Sequence, residues 1–135
     1  MAVKLDADNP GVFSGMVLLA AAIDPAAENP EKWRPVLYKT PLKYFIPGAF
    51  RPSNEELWCL KKDLKDLAKD FSKITCPVWI IHGDKDKFVP VSNAGYAKKM
   101  LVNAKSIEIK ILKDASHFIT WEPWYKDVKE VLMRL

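Results

Sequence analysis

The chain has 135 residues, 49% hydrophobic and 28% charged, with 21 basic against 17 acidic residues for a net charge of +4. That length supports one domain with its own core and is too short for two ordinary ones, and the composition excludes a disordered chain. The charges interleave along helix-like stretches such as Lys61, Lys62, Asp63, Lys65 and Asp66, which describes a solvated face and excludes the clustered basic patch of a nucleic-acid binder.

Residues 1–8 have helix-compatible composition and stop at Asn9-Pro10-Gly11, a turn signal. The stretch reads as the end of a helix, and it is too polar for a signal peptide. Within residues 15–24 the chain is continuously apolar from Met16 to Ile23 without alternation, as expected of a strand covered on both faces of a parallel sheet. This first strand is expected at the centre of its sheet. No apolar run approaches the ~20 residues that span a bilayer, so no membrane partner and a cytoplasmic location are expected.

Residues 25–52 hold six of the ten prolines, together with Trp33, Tyr38, Tyr44, Phe45 and Phe50. So many prolines break regular structure, and so many aromatics are out of place in an idle linker; short helices packed as a lid satisfy both. The lid aromatics could line an apolar pocket or form the lid's own small core, and Lys32, Arg34, Lys39, Lys43 and Arg51 read as its solvated face. Residues 54–71 are the clearest helix, with Ser53 and Glu56 in a capping-box pattern and Leu57, Leu60, Leu64, Leu67, Ala68 and Phe71 on one stripe.

A second strand is predicted from Val78 to Ile81, and the chain then turns sharply through His82-Gly83-Asp84-Lys85-Asp86-Lys87-Phe88-Val89-Pro90. Ser92 or Asn93 is expected to cap the next helix, which runs to Leu101. Residues 106–112 alternate cleanly, predicting a third strand at an edge with one face in solvent. After the loop Asp114-Ala115-Ser116-His117-Phe118, residues 121–135 form an amphipathic helix with Pro123 near its start. Strand and helix alternate, which implies a parallel sheet with right-handed crossovers and a site at the carboxyl ends of the strands.

At that end two loops carry an acid and an imidazole. A carboxylate that fixes the tautomer of a histidine makes it a general base, and Asp86 and His117 are the candidates, with Asp84 a rival for the acid. His82 reads as a packed, hydrogen-bonded histidine, Asp114 as a solvated turn acid, and Trp121 and Trp124 as packing for His117. Cys59 and Cys76 have neither CxxC spacing nor a histidine close in sequence, so no metal or cofactor is expected.

The string His82-Gly83-Asp84-Lys85-Asp86-Lys87-Phe88-Val89-Pro90 followed by Asp114-Ala115-Ser116-His117-Phe118 resembles the C-terminal part of an α/β-hydrolase-fold enzyme. The resemblance implies an α/β fold of about three parallel strands with flanking helices, residues 1–24 and 72–135 as core and residues 25–71 as a helical cap. It implies Asp86 as the acid and His117 as the base of a triad that cleaves an ester, amide or related bond in a small, apolar or ester-like substrate. No Gly-x-Ser-x-Gly is present: in Gly11-Val12-Phe13-Ser14-Gly15 the first glycine stands one place too far away, and the string precedes a strand. The expectation is a truncated hydrolase whose elbow nucleophile, serine or aspartate, lies upstream. The alternative is a non-catalytic half-domain that self-associates through its unpaired first strand.

Overall fold

The computed structural model describes residues 2–27, 41, 44 and 50–134, apart from the side chains of residues 50–58. The cap aromatics Trp33, Tyr38 and Phe45, the basic residues Lys32, Arg34, Lys39 and Lys43, and the side chain of Arg51 therefore lie outside the described residues. Three parallel strands, β1 (Met16–Leu19), β2 (Val78–Gly83) and β3 (Ile107–Leu112), lie side by side in sequence order. Around them stand α1 (Ala2–Asp8), α2 (Phe50–Leu67), a 3-10 turn (Phe71–Lys73), α3 (Ser92–Met100) and α4 (Tyr125–Leu132).

The pleat sorts side chains by parity. Met16 and Leu18 of β1, Val78 and Ile80 of β2, and Ile107 and Ile109 of β3 face one side, where Val3 and Ala7 of α1, Phe71, and Ala94, Ala97 and Leu101 close the larger core. Ile81 and Leu112 face the other, against Val128 and Val131 of α4 and Ala115 and Ile119 of the preceding loop. β2, buried on both faces, reads as a near-continuous apolar run for that reason.

Several sequence expectations need correcting. β1 is a margin strand among the described residues, paired only with β2, so its apolar run does not mark the centre of this sheet. The polar face of β3 is partly covered: Lys110 pairs with Asp127 at 2.8 Å and Glu130 at 3.3 Å on α4. α2 already runs from Phe50, which places Ser53 inside it and not at its cap, and it ends at Leu67, leaving Phe71 to the 3-10 turn. α3 begins at Ser92 after Val91, so Ser92 and Asn93 lie inside the helix and not at its cap; no side chain caps it, and the Asn93 amide is engaged with the segment after β1 instead.

Candidate active site

Because the strands are parallel, the loops after β2 and β3 emerge at the same end of the sheet. Gly83 lets them meet: a Cβ there would lie 2.3 Å from the Ala115 carbonyl oxygen and 2.6 Å from that of Ser116. Two backbone bonds then lock the loops together, the Asp84 N–H to the Leu112 carbonyl at 3.1 Å and the Lys85 N–H to that of Ala115 at 3.0 Å.

This apposition brings Asp86 and His117 together. Asp86 Oδ1 accepts the N–H groups of Phe88 and Val89, each at 2.8 Å, and Oδ2 lies 2.8 Å from His117 Nδ1. The carboxylate is wholly enclosed, whereas the imidazole is 33% exposed. Burial opposes the charge on Asp86, but the Val89 N–H, the His117 ring and the Phe88 N–H together outweigh it and hold the carboxyl below its ordinary range. An ionised Asp86 places the proton of a neutral His117 on Nδ1, which leaves Nε2 as the basic nitrogen. The pair has the geometry of an oriented general base.

Aromatic rings surround it. Phe88 and Phe118 meet His117 edge-on, at centroid distances of 5.6 and 5.7 Å, and Trp121 stacks on Phe118 at 5.0 Å. Phe88, Phe118 and Trp121 are all well exposed, so they form an apolar rim beside the imidazole. The rings expected against His117 were tryptophans; Trp121 instead stands one layer out, and Trp124 turns away to donate its indole N–H to the Lys113 carbonyl at 3.3 Å.

Asp84 is exposed and Asp114, in the left-handed region at φ 57°, pairs with Lys85. Neither touches His117 in any described contact, which leaves Asp86 as the acid that does. Ser14 sits in the bend before β1, at the amino end of the strands and so at the opposite end of the sheet from His117. His82 is buried and hydrogen-bonded to the Val89 carbonyl at 3.0 Å.

Asn93 is a positioning group that the sequence reading placed only as a helix cap. Fully buried, it accepts the N–H groups of Ile23 and Asp24 at 2.7 and 2.8 Å through Oδ1 and donates from Nδ2 to the Pro90 carbonyl at 3.0 Å. It thereby ties the segment after β1 to the Asp86 loop. The signal was an amide at a core position: Asn93, Ala97 and Leu101 share one buried stripe. Asn93→Ala leaves buried N–H groups without an acceptor and is expected to cost about 2–4 kcal/mol, read as a fall in the urea midpoint at unchanged slope.

Cys76 is buried, and its thiol donates to Asp6 Oδ2 at 3.6 Å. Burial first, then the Asp6 charge, pushes that thiol up from its ordinary pKa, so it is a structural group and not a nucleophile. Among the described residues no helix is long and apolar enough to cross a membrane.

No family model and no curated protein matches the sequence. Solved structures do match. A monoacylglycerol lipase of Paleococcus ferrophilus superposes with a TM-score of 0.70 at 15% identity, over 98% of this chain and 62% of its own. A metagenome-derived lipolytic enzyme gives 0.73 at 18% identity, over 98% and 58%. An esterase from Exiguobacterium antarcticum gives 0.62 at 17% identity, over 98% and 61%. The chain thus spans less than two thirds of the length of each of these enzymes.

Proposed function

We propose, starting from the α/β-hydrolase fold that the chain shares with lipases and esterases, that it carries the acid and the base of a hydrolase active site. The observation that supports this most is the 2.8 Å contact between the enclosed carboxylate of Asp86 and Nδ1 of the half-open His117. The substrate class is a small molecule with an ester, amide or related bond and an apolar part. The rim of Phe88, Phe118 and Trp121 supports the apolar part.

In this reaction a nucleophile gives its proton to His117 Nε2 as it attacks the scissile carbonyl, Asp86 stabilises the imidazolium, and the proton passes to the leaving group. With an aspartate nucleophile His117 instead activates the water that cleaves the ester intermediate. No Gly-x-Ser-x-Gly occurs in the 135 residues, and we place the nucleophile and its oxyanion hole on a segment outside them. The 135-residue chain alone is therefore expected to show no His117-dependent turnover of p-nitrophenyl butyrate. Turnover that His117→Ala abolishes in that chain would refute the assignment. The free thiols of Cys59 and Cys76 support a reducing, cytoplasmic setting.

A second reading rests on the outer edge of β1. Among the described residues it has no strand partner, and beside it lies a cavity of about 170 Å³ lined by Ala2, Leu5, Asp6, Phe13, Gly15, Met16 and Val17, with Leu5 and Phe13 exposed. An open apolar edge favours pairing with a second copy. Sedimentation of the chain is expected to show dimers or larger species whose share grows with concentration; a monomer throughout the accessible concentration range would count against this reading.

A further inference from the structure

His82 and His117 are the two histidines of the chain, and both imidazoles converge on one carboxylate oxygen. His117 Nδ1 lies 2.8 Å from Asp86 Oδ2, and His82 Nε2 lies 3.4 Å from the same atom. His82 Nε2 is also 3.0 Å from the Val89 carbonyl oxygen. A carbonyl only accepts, so Nε2 of His82 carries the proton and donates it to the Val89 carbonyl, with Asp86 Oδ2 close by at 3.4 Å. The side chain is 1% exposed in a strand that is otherwise apolar, where an imidazole without a partner would be costly.

The geometry closes a ring. Asp86 Oδ1 holds the N–H of Val89, and His82 holds the carbonyl of the same residue. Val89 is thus fixed on both its polar groups, and the turn of residues 86–89 is fixed with it. Resting on the reading of Asp86 and His117 as acid and base, we propose that His82 is a positioning residue. Its Nε2–H clamps the Asp86 turn and sets the direction in which Oδ2 faces His117, without itself exchanging a proton in the reaction.

The test is nitrogen-15 NMR of the two imidazoles in the 135-residue chain at neutral pH, with amide exchange at Phe88 and Val89. In the wild-type chain His82 is expected to carry its proton on Nε2 and His117 on Nδ1. His82→Leu is expected to mix the two tautomers of His117 and to speed exchange at Phe88 and Val89 by about tenfold or more. His82→Gln, whose amide nitrogen replaces the Nε2 donor, is expected to restore both. A role confined to packing would leave the His117 tautomer unmoved. A wild-type His82 protonated on Nδ1 overturns the proposal whatever the variants do. So does a folded His82→Leu chain with unchanged His117 signals, and if His82→Leu fails to fold, mixed His117 tautomers in a folded His82→Gln chain do so instead. Asp86→Asn separates the two readings: if it leaves His117 unaltered, the acid and base pairing fails; if it alters His117 while His82→Leu does not, only the clamp fails.

Discussion

Gly83→Ala is expected to destabilise the fold by about 3 kcal/mol and to move the His117 loop off Asp86. The new methyl would stand 2.3 Å from one backbone oxygen and 2.6 Å from the next, and backbone cannot rotate aside as the tip of a long side chain can. Gly83 lies opposite Leu112 in the β2 and β3 register, with the locking bonds from Asp84 and Lys85 next along the chain. Relief must therefore come from pushing apart the two loops that present Asp86 and His117. The expected readings are a lowered urea midpoint and altered His117 ring signals. Gly95→Ala is the control. A Cβ at Gly95 meets nothing within 4 Å, and its place inside α3 favours alanine by up to about 1 kcal/mol. One alanine is expected to weaken the protein and the other to strengthen it; equal effects would show that the close approach at Gly83 is not what holds the loops.

That pair of glycines shows where sequence reading stops. The apolar run of β2, its abrupt end at Gly83, the alternation of β3 and the helical stripes are local patterns, and they sufficed to place three parallel strands and the two loops after β2 and β3. The juxtaposition of Asp86 and His117, 31 residues apart, followed because parallel strands put successive loops at one end. What escaped depends on partners distant in sequence. The need for glycine at 83 comes from carbonyls at Ala115 and Ser116. The amide of Asn93 is held by Ile23, 70 residues away, so its local promise as a helix cap was overridden. Ser53 shows the reverse failure: its capping-box spacing is real, yet the helix starts before it, and Pro52 near the first turn is no obstacle to that start. β1 had the apolarity of a central strand, but apolarity reports coverage of the faces and not what lies along the edge.

The aromatic rim was equally out of reach of spacing arguments. Phe88 belongs to the Asp86 loop and Phe118 and Trp121 to the His117 loop, and only the meeting of those loops makes one surface of them. It follows that the groups which orient His117 and those proposed to contact the apolar part of a substrate depend on the same loop apposition, and so on Gly83.

The largest effect expected is on catalysis, in the chain expressed together with the segment proposed to supply the nucleophile. On the proposed assignment His117 would have two functions there, accepting a proton from the nucleophile or the water and returning it, while Asp86 would only hold the ring and its tautomer. The losses should differ accordingly. His117→Ala removes the base itself and is expected to lower kcat by about a millionfold. Asp86→Asn keeps the shape of the side chain but replaces an acceptor-only carboxylate; an amide nitrogen turned toward Nδ1 would favour the tautomer with its proton on Nε2, and the expected loss is about ten-thousandfold. Both should act on kcat more than on KM, since neither group is proposed to bind the apolar part of the substrate.

Hydrolysis of p-nitrophenyl butyrate by the chain joined to the segment proposed to bear the nucleophile, measured for the parent, Asp86→Asn and His117→Ala under one set of conditions, tests the assignment most directly. Turnover is expected in the parent, with losses of about four and six orders of magnitude in Asp86→Asn and His117→Ala. Turnover that survives His117→Ala, or Asp86→Asn within tenfold of the parent, would contradict it.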